Sequence, residues 1–275
     1  MKKLVIISQM LVFLSFLAHS QTLSKETVVM ETSYGTIKMK LYEETPLHKA
    51  NFLKLAKSKF YNKTLFHRVI ASFMIQGGDP LSKKAKAGDS LGHGDLGYTV
   101  AAEINEKLIH KRGALCAARE SDAVNPLFAS SASQFYIVVG KKRSLEDLKK
   151  YEDRINKANY ANAGRLYLLS DTGAALKKLY NRLKEEQKID SAALVNTQIE
   201  AAITGRNAAL KSYAFNPTQI KQYTTIGGTP HLDGTYTVFG EVTEGMEVVE
   251  WISKVKTDKR DRPIEDMKIK VKVID

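Results

Sequence analysis

The chain has 275 residues, 43% hydrophobic and 26% charged, a balance that supports a packed core and excludes wholesale disorder. Forty-two Lys and Arg against 30 Asp and Glu give a formal net charge of +12. No dense basic block interleaved with aromatics stands out, so the excess reads as a solvated basic face and not a nucleic-acid footprint.

Met1-Lys2-Lys3, the apolar run Leu4 to Leu17 and the small residues Ala18-His19-Ser20 have the tripartite form of a secretory leader. Residues 1–20 are therefore expected to be a signal peptide, cleaved before Gln21, with the chain exported to a periplasm or secreted. The apolar run is short for a membrane span. Losing Lys2 and Lys3 takes the formal charge to +10 (12 minus 2).

Two alternating runs, Thr27 to Ser33 and Thr36 to Tyr42, flank Tyr34-Gly35 and predict a β-hairpin. Pro46 through Lys57 carries Ala50, Phe52, Leu53, Leu55 and Ala56 at helical spacing, with proline in the first turn, and predicts a short helix. Leu65 to Ile75 is apolar and β-branched and halts at Gly77-Gly78-Asp79-Pro80. A polar, glycine-rich loop spans Lys83 to Gly97. Strand-like runs recur at Ala114–Ala118 and Gln134–Val139. Cys116, the only cysteine, excludes an intramolecular disulfide and reads as a small buried packing residue.

From Ser144 to about Tyr223 the chain turns rich in Ala, Leu, Lys and Glu. Leu145–Tyr151, Ala174–Leu183 and Ser191–Leu210 predict amphipathic helices, the second capped by Asp171-Thr172 and the third by Asp190-Ser191. Asn216-Pro217 reads as a stop. A strand follows at Thr235–Gly240, a helix at Met246–Val255 and a half-buried strand at Met267–Ile274.

The segment Phe66-His67-Arg68-Val69-Ile70-Ala71-Ser72-Phe73-Met74-Ile75-Gln76-Gly77-Gly78-Asp79 sets one arginine among apolar residues, with a glutamine eight positions on. Such an arginine needs partners or a function. Ser133-Gln134-Phe135-Tyr136-Ile137 comes later, as do Leu232-Asp233-Gly234 and Val238-Phe239-Gly240-Glu241-Val242. Together and in this order they resemble the cyclophilin family of peptidyl-prolyl cis-trans isomerases. The resemblance covers 24–142 and 226–275. It implies a mainly β fold, a closed eight-stranded antiparallel barrel capped by two helices, and leaves 143–225 as a helical insertion.

It also implies a site. Arg68 is the expected catalytic group, and Gln76 holds it or the substrate backbone. Phe73, Met74, Tyr136 and Leu232 form the proline pocket, with the hydroxyl of Tyr136, where the family more often has phenylalanine, expected at the rim. Ala118, Arg119, Gln134, His231 and Tyr236 line the substrate-backbone groove. Arg119 stands for the usual asparagine and adds a charge near the groove. His231 stands for a frequent tryptophan, which implies weak cyclosporin sensitivity. The partners implied are proline-containing polypeptides, and no cofactor is needed. The alternative is a chaperone-like module that holds proline segments or unfolded clients without catalysis.

His67 is expected to point away from Arg68 and pack structurally. His48, His93, His110 and His231 show no ligand spacing, so no metal is expected. Gly92 to Gly97 lacks the Lys-Ser/Thr ending and following helix of a phosphate loop. Ser33, Ser72 and Ser133 lack a His and acid at recognisable spacing. The insertion reads either as a helical hairpin packed on the barrel or as an arm for clients or partners, given its interleaved tyrosines and cations.

Overall fold

The computed structural model describes residues 26–274. The expected signal peptide lies outside the described residues, as do residues 24 and 25. The predicted hairpin is β1 (Thr27–Thr32) and β2 (Gly35–Leu41), whose alternate residues Ile37, Met39 and Leu41 are buried. The next element, α1 (Pro46–Lys57), buries Phe52, Leu53, Leu55 and Ala56.

The apolar run 65–75 is not one strand. It folds as β3 (Phe66–Ile70) and β4 (Met74–Gly77), paired antiparallel across Ala71-Ser72-Phe73. Ser72 sits at φ 60, a left-handed conformation that costs a non-glycine residue on the order of 1 kcal/mol. It is held because the Phe73 carbonyl accepts from Val139 N–H (3.0 Å) and Gly140 N–H (3.1 Å). A β-bulge between Phe66 and Arg68 adds one residue to β3 and breaks the simple alternation.

Two short strands, β5 (Thr99–Val100) and β7 (Ser130–Ser131), pair with each other. The rest, β6 (Ala114–Ala117), β8 (Phe135–Val138), β9 (Val238–Glu244) and β10 (Lys270–Ile274), complete an eight-stranded antiparallel sheet. Its order is β10-β1-β2-β9-β6-β8-β4-β3. The expected closed barrel is not reproduced as a closed ladder: the sheet has two ends, β10 and β3. Among the described residues, an isolated bridge, Leu65 with Lys268, and neighbouring backbone bonds lie between those ends. The strand chemistry of 267–269 and 65 is spent on this irregular seam. Helix α1 and the last helix, α6 (Met246–Ser253), are the two expected barrel helices.

The central strands are buried on both faces. Ile75, Leu115, Ala117, Phe135 and Ile137 face the main core with Phe52, Tyr61 and Phe239. Their alternates Met74, Ala114, Cys116, Tyr136 and Val138 face outward, where Phe73, Leu232 and Tyr236 cover them. That covered outer face is where the site lies.

Four helices, α2 (Leu145–Leu169), α3 (Asp171–Glu185), α4 (Ile189–Ala208) and α5 (Pro217–Thr225), separate β8 from β9. Helix α2 continues far past Tyr151. Ser170, not Asp171-Thr172, caps α3 by accepting from Gly173 N–H, and α4 starts after Lys188 with no side-chain cap. Asn216-Pro217 begins a helix and does not stop one. Asn216 accepts from Gln219 N–H and Gln219 answers in a capping box, while Pro217 fills the first turn, where no N–H is needed. The two stems meet: Gly228 N–H donates to Lys141 O (3.1 Å), and Gly140 packs against Gly228 so closely that any side chain there would collide.

Candidate active site

A cavity of about 170 Å³ opens on the outer face, lined by Arg68, Phe73, Met74, Gln76, Ala118, Arg119, Tyr136, Leu232 and Tyr236. Hairpin β3–β4 supplies four of these, because Arg68 and Gln76 are cross-strand partners and Met74 projects to the same face. Strand β8 supplies Tyr136, and the short 3-10 turn Pro230–Leu232 supplies Leu232.

Arg68 is oriented through amides. Its Nη1 donates to Gln76 Oε1 (3.4 Å), and Gln76 Nε2 donates to Gln134 Oε1 (3.2 Å). Gln134 Nε2 in turn donates to the carbonyls of Gly92 (3.0 Å) and Gly94 (2.8 Å). Gln134 is buried and stands behind the cavity, tying the glycine loop to the arginine. Asp261 approaches Arg68 Nε at 3.7 Å, both side chains more than 40% exposed, a screened contact. The sequence held no signal for Asp261, which the chain brings in from 193 positions away (261 minus 68).

Beyond Arg68 a second, polar cavity of about 470 Å³ is bordered by His67, Arg68, Gln76, Asp89 to His93, Glu120, Arg260 and Arg262. Arg68 and Gln76 form the ridge between the two cavities. His67 was expected to point away from Arg68, but the bulge in β3 leaves both on this cavity. Burial pushes the His67 imidazole down to about 4.

Three expectations for the groove change. Arg119 offers no free charge, since its side chain is 2% exposed. It donates to the Thr235 and Glu120 carbonyls, pairs with Asp122, and lies between the Phe128 and Tyr236 rings. Ala118 presents a methyl group, because its N–H is taken by Gln134 O (3.0 Å) and its carbonyl accepts from Ser131 N–H (2.8 Å). His231 lies behind Phe73, stacked on it at 5.6 Å, with Tyr151 of α2 tilted against it at 5.5 Å. Burial, aided by Arg154, holds His231 down at about 4.

The Tyr136 hydroxyl is not at the rim. It points inward to His110 Nε2 (3.0 Å), whose Nδ1 donates to Asp233 Oδ1 (2.7 Å). Burial pushes the Tyr136 phenol and the adjacent Cys116 thiol well above their ordinary values. Nothing in the sequence flagged His110, which lies in a loop with no local motif. Asp233 was visible only as part of a motif.

Elsewhere, Glu103, His48 and Ser130 are connected like a hydrolase triad: Glu103 to His48 Nδ1 at 2.6 Å, His48 Nε2 to Ser130 Oγ at 2.9 Å. Ser130 is 1% exposed, and the void beside His48 is only about 10 Å³, so no substrate reaches the trio. Among the described residues no group of three or more His, Cys, Asp or Glu is placed to hold a metal ion, and no helix is long and apolar enough to cross a membrane.

The family model for cyclophilin type peptidyl-prolyl cis-trans isomerase/CLD matches residues 27–152 and 209–273. A peptidyl-prolyl cis-trans isomerase of Arabidopsis thaliana is 31% identical over 261 residues, 94% of this chain but 26% of that protein. The chain thus spans about a quarter of the length of that relative, and 37% of another, from Streptococcus pyogenes. A second Arabidopsis thaliana isomerase is 26% identical over 92% of this chain and 96% of its own length. A solved cyclophilin type isomerase of Cryptosporidium parvum shares the fold with a TM-score of 0.51 and 20% identity, over 91% of this chain and 98% of that one. The gap in the family match, 153–208, holds most of α2 and all of α3 and α4.

Proposed function

Because the chain belongs to the cyclophilin type of peptidyl-prolyl cis-trans isomerases, we propose that it accelerates rotation about X–Pro bonds in exported polypeptides, with Arg68 as its catalytic group. The observation that carries this reading is a guanidinium, aimed by a neighbouring amide, on the edge of an apolar slot.

Rotation about an amide faces a barrier of about 18–20 kcal/mol because resonance must be broken. Uncatalysed X–Pro exchange takes roughly tens to hundreds of seconds. No bond is made or cleaved, so no cofactor is needed. In the twisted state the nitrogen becomes pyramidal and basic and the carbonyl behaves as a ketone. Only contacts stronger in that state than in either planar isomer accelerate the step. Arg68 is always charged and offers rigid donors to the carbonyl or nitrogen as it turns. Phe73, Met74, Tyr136 and Leu232 hold the ring still. Residues preceding proline cross the Arg68–Gln76 ridge toward the polar cavity.

Residues 24–142 and 226–275 are one isomerase domain, and 143–225 is the insertion. The contact of Lys141 with Gly228 supports a domain interrupted once. The backbone bonds joining 63–66 to 267–269 support reading its sheet as a closed barrel. The leader-like residues 1–20 support export, to a periplasm or beyond the cell. Exposed Leu169, Ile189 and Leu194 suit an arm that assists folding of client chains.

The test is exchange NMR on a proline tetrapeptide. The wild type accelerates exchange, and Arg68→Ala loses about 100-fold or more, the scale of removing a donor aimed at developing charge. A wild type no faster than Arg68→Ala leaves a module that only binds proline segments.

A further inference from the structure

Behind the cavity lies a chain of buried polar groups that runs from the barrel into the inserted helices. Asp233 is 3% exposed and His110 is fully buried. Asp233 Oδ1 accepts from the His110 backbone N–H (2.9 Å) and from its Nδ1–H (2.7 Å). Oδ2 accepts from Tyr223 O–H at 2.6 Å and from Tyr213 O–H at 3.4 Å. Tyr223 is on α5 and Tyr213 lies just before it, so half of this carboxylate's partners come from the insertion. A carboxylate this deep is tolerated only with both oxygens satisfied.

The consequence reaches the pocket. With Nδ1 engaged by Asp233, Nε2 is the ring nitrogen left to hydrogen-bond the Tyr136 hydroxyl. That bond, with His110 stacked beside the Tyr136 ring at 6.1 Å and Tyr236 edge-on, sets the angle of the pocket wall. A second contact runs the same way, from Tyr151 of α2 through His231 to Phe73.

We propose that the helical insertion sets the shape of the proline pocket, and that Tyr223, Asp233 and His110 are positioning residues that hold the Tyr136 ring for isomerisation. This rests on the isomerase reading above. It explains why the pocket carries a tyrosine: a phenylalanine ring would fill the same wall but would not be held by the insertion. Loss of the Tyr223 hydroxyl leaves Oδ2 with only the longer Tyr213 bond. Asp233 and His110 then shift, and the wall loosens without any residue in the cavity having changed.

A double-mutant cycle tests this in the full chain, with turnover of a proline tetrapeptide followed by exchange NMR. Tyr223→Phe is expected to lower kcat/KM about five-fold, the scale of coupling between members of one hydrogen-bond network. In the Tyr136→Phe background the same change is expected to do nothing further, because the bond it supports is already absent. Tyr213→Phe, whose bond is longer, gives a smaller effect of the same pattern. An equal loss in both backgrounds, or a lower Tm with turnover untouched, overturns the proposal, since a merely structural network gives those results. If the wild type isomerises no peptide, the isomerase reading fails on its own. The same cycle is then read in the Kd for the same peptide by NMR titration, where background-dependent weakening supports the proposal and background-independent weakening or none overturns it.

Discussion

Arg68 and Arg119 border one cavity, and only one of them is available to a substrate. Arg119 is closed in by two aromatic rings, two carbonyls and Asp122. Arg68 has one long bond to Gln76 and a screened approach to Asp261, with its side chain 43% exposed. Arg68, Gln76, Phe73, Met74, Tyr136 and Leu232 were legible in the sequence motifs, and the fold gathers all six around one cavity. Which way the Tyr136 hydroxyl turns was not legible there. Its partner His110 lies 26 positions back, and the carboxylate behind that lies 123 further on, so no local pattern encodes the arrangement.

His67 and His231 give the residue scale its pH dependence. Each imidazole is held at about 4 in the fold, against 6.5 when unfolded. Between pH 6.5 and 4 the unfolded chain takes up protons that the folded chain refuses, so stability falls as pH drops through that window. Below about 4 both states are protonated and these two groups add no further loss. Thermal unfolding followed from pH 7 to 4.5 is expected to show Tm falling, and His67→Leu is expected to flatten the fall. A Tm independent of pH across the window would contradict the buried neutral imidazoles.

Among the elements, those with strong local signals were readable: the first hairpin, α1 with Pro46 at its start, and the alternating last strand. Others depended on distant partners. The N-terminus of α1 has no cap of its own. Glu103 supplies it, accepting from Leu47 N–H (3.0 Å) and His48 N–H (2.9 Å), an anion at the positive helix end. The β3–β4 turn was hidden because Ala71-Ser72-Phe73 contains none of the usual glycine, proline or asparagine. Helix α5 was missed because Asn-Pro serves equally as a stop and as a cap followed by a first-turn proline. Asn216→Ala removes that cap, which costs about 1 kcal/mol, and for a chain of this size is expected to lower Tm by about 2–4 °C. No change in Tm by calorimetry would show that packing of Phe215 and Tyr223, not the cap, sets the helix.

At the scale of the whole molecule, the sequence divides at the change from β-branched to Ala- and Lys-rich composition, and the structure places four helices there between β8 and β9. Composition marked where helices lie but not what they touch. Helices α3 and α4 pack on α2 around Tyr167, Val195 and Ile199. The first part of α2 and α5 instead enclose Leu148, Ile155, Phe215 and Tyr223 beside the eight-stranded sheet. This helical segment is thus a distal bundle joined to a proximal layer that backs the cavity. Acting as an isomerase, the chain would seat a proline ring in the apolar slot with its amide under Arg68. The most direct measurement is a crystal structure of the full chain with a proline tetrapeptide bound. The ring is expected among Phe73, Met74, Tyr136 and Leu232, with the prolyl carbonyl or nitrogen within hydrogen-bond reach of the Arg68 guanidinium. A ring seated elsewhere, or an Arg68 turned away from the peptide, would contradict it.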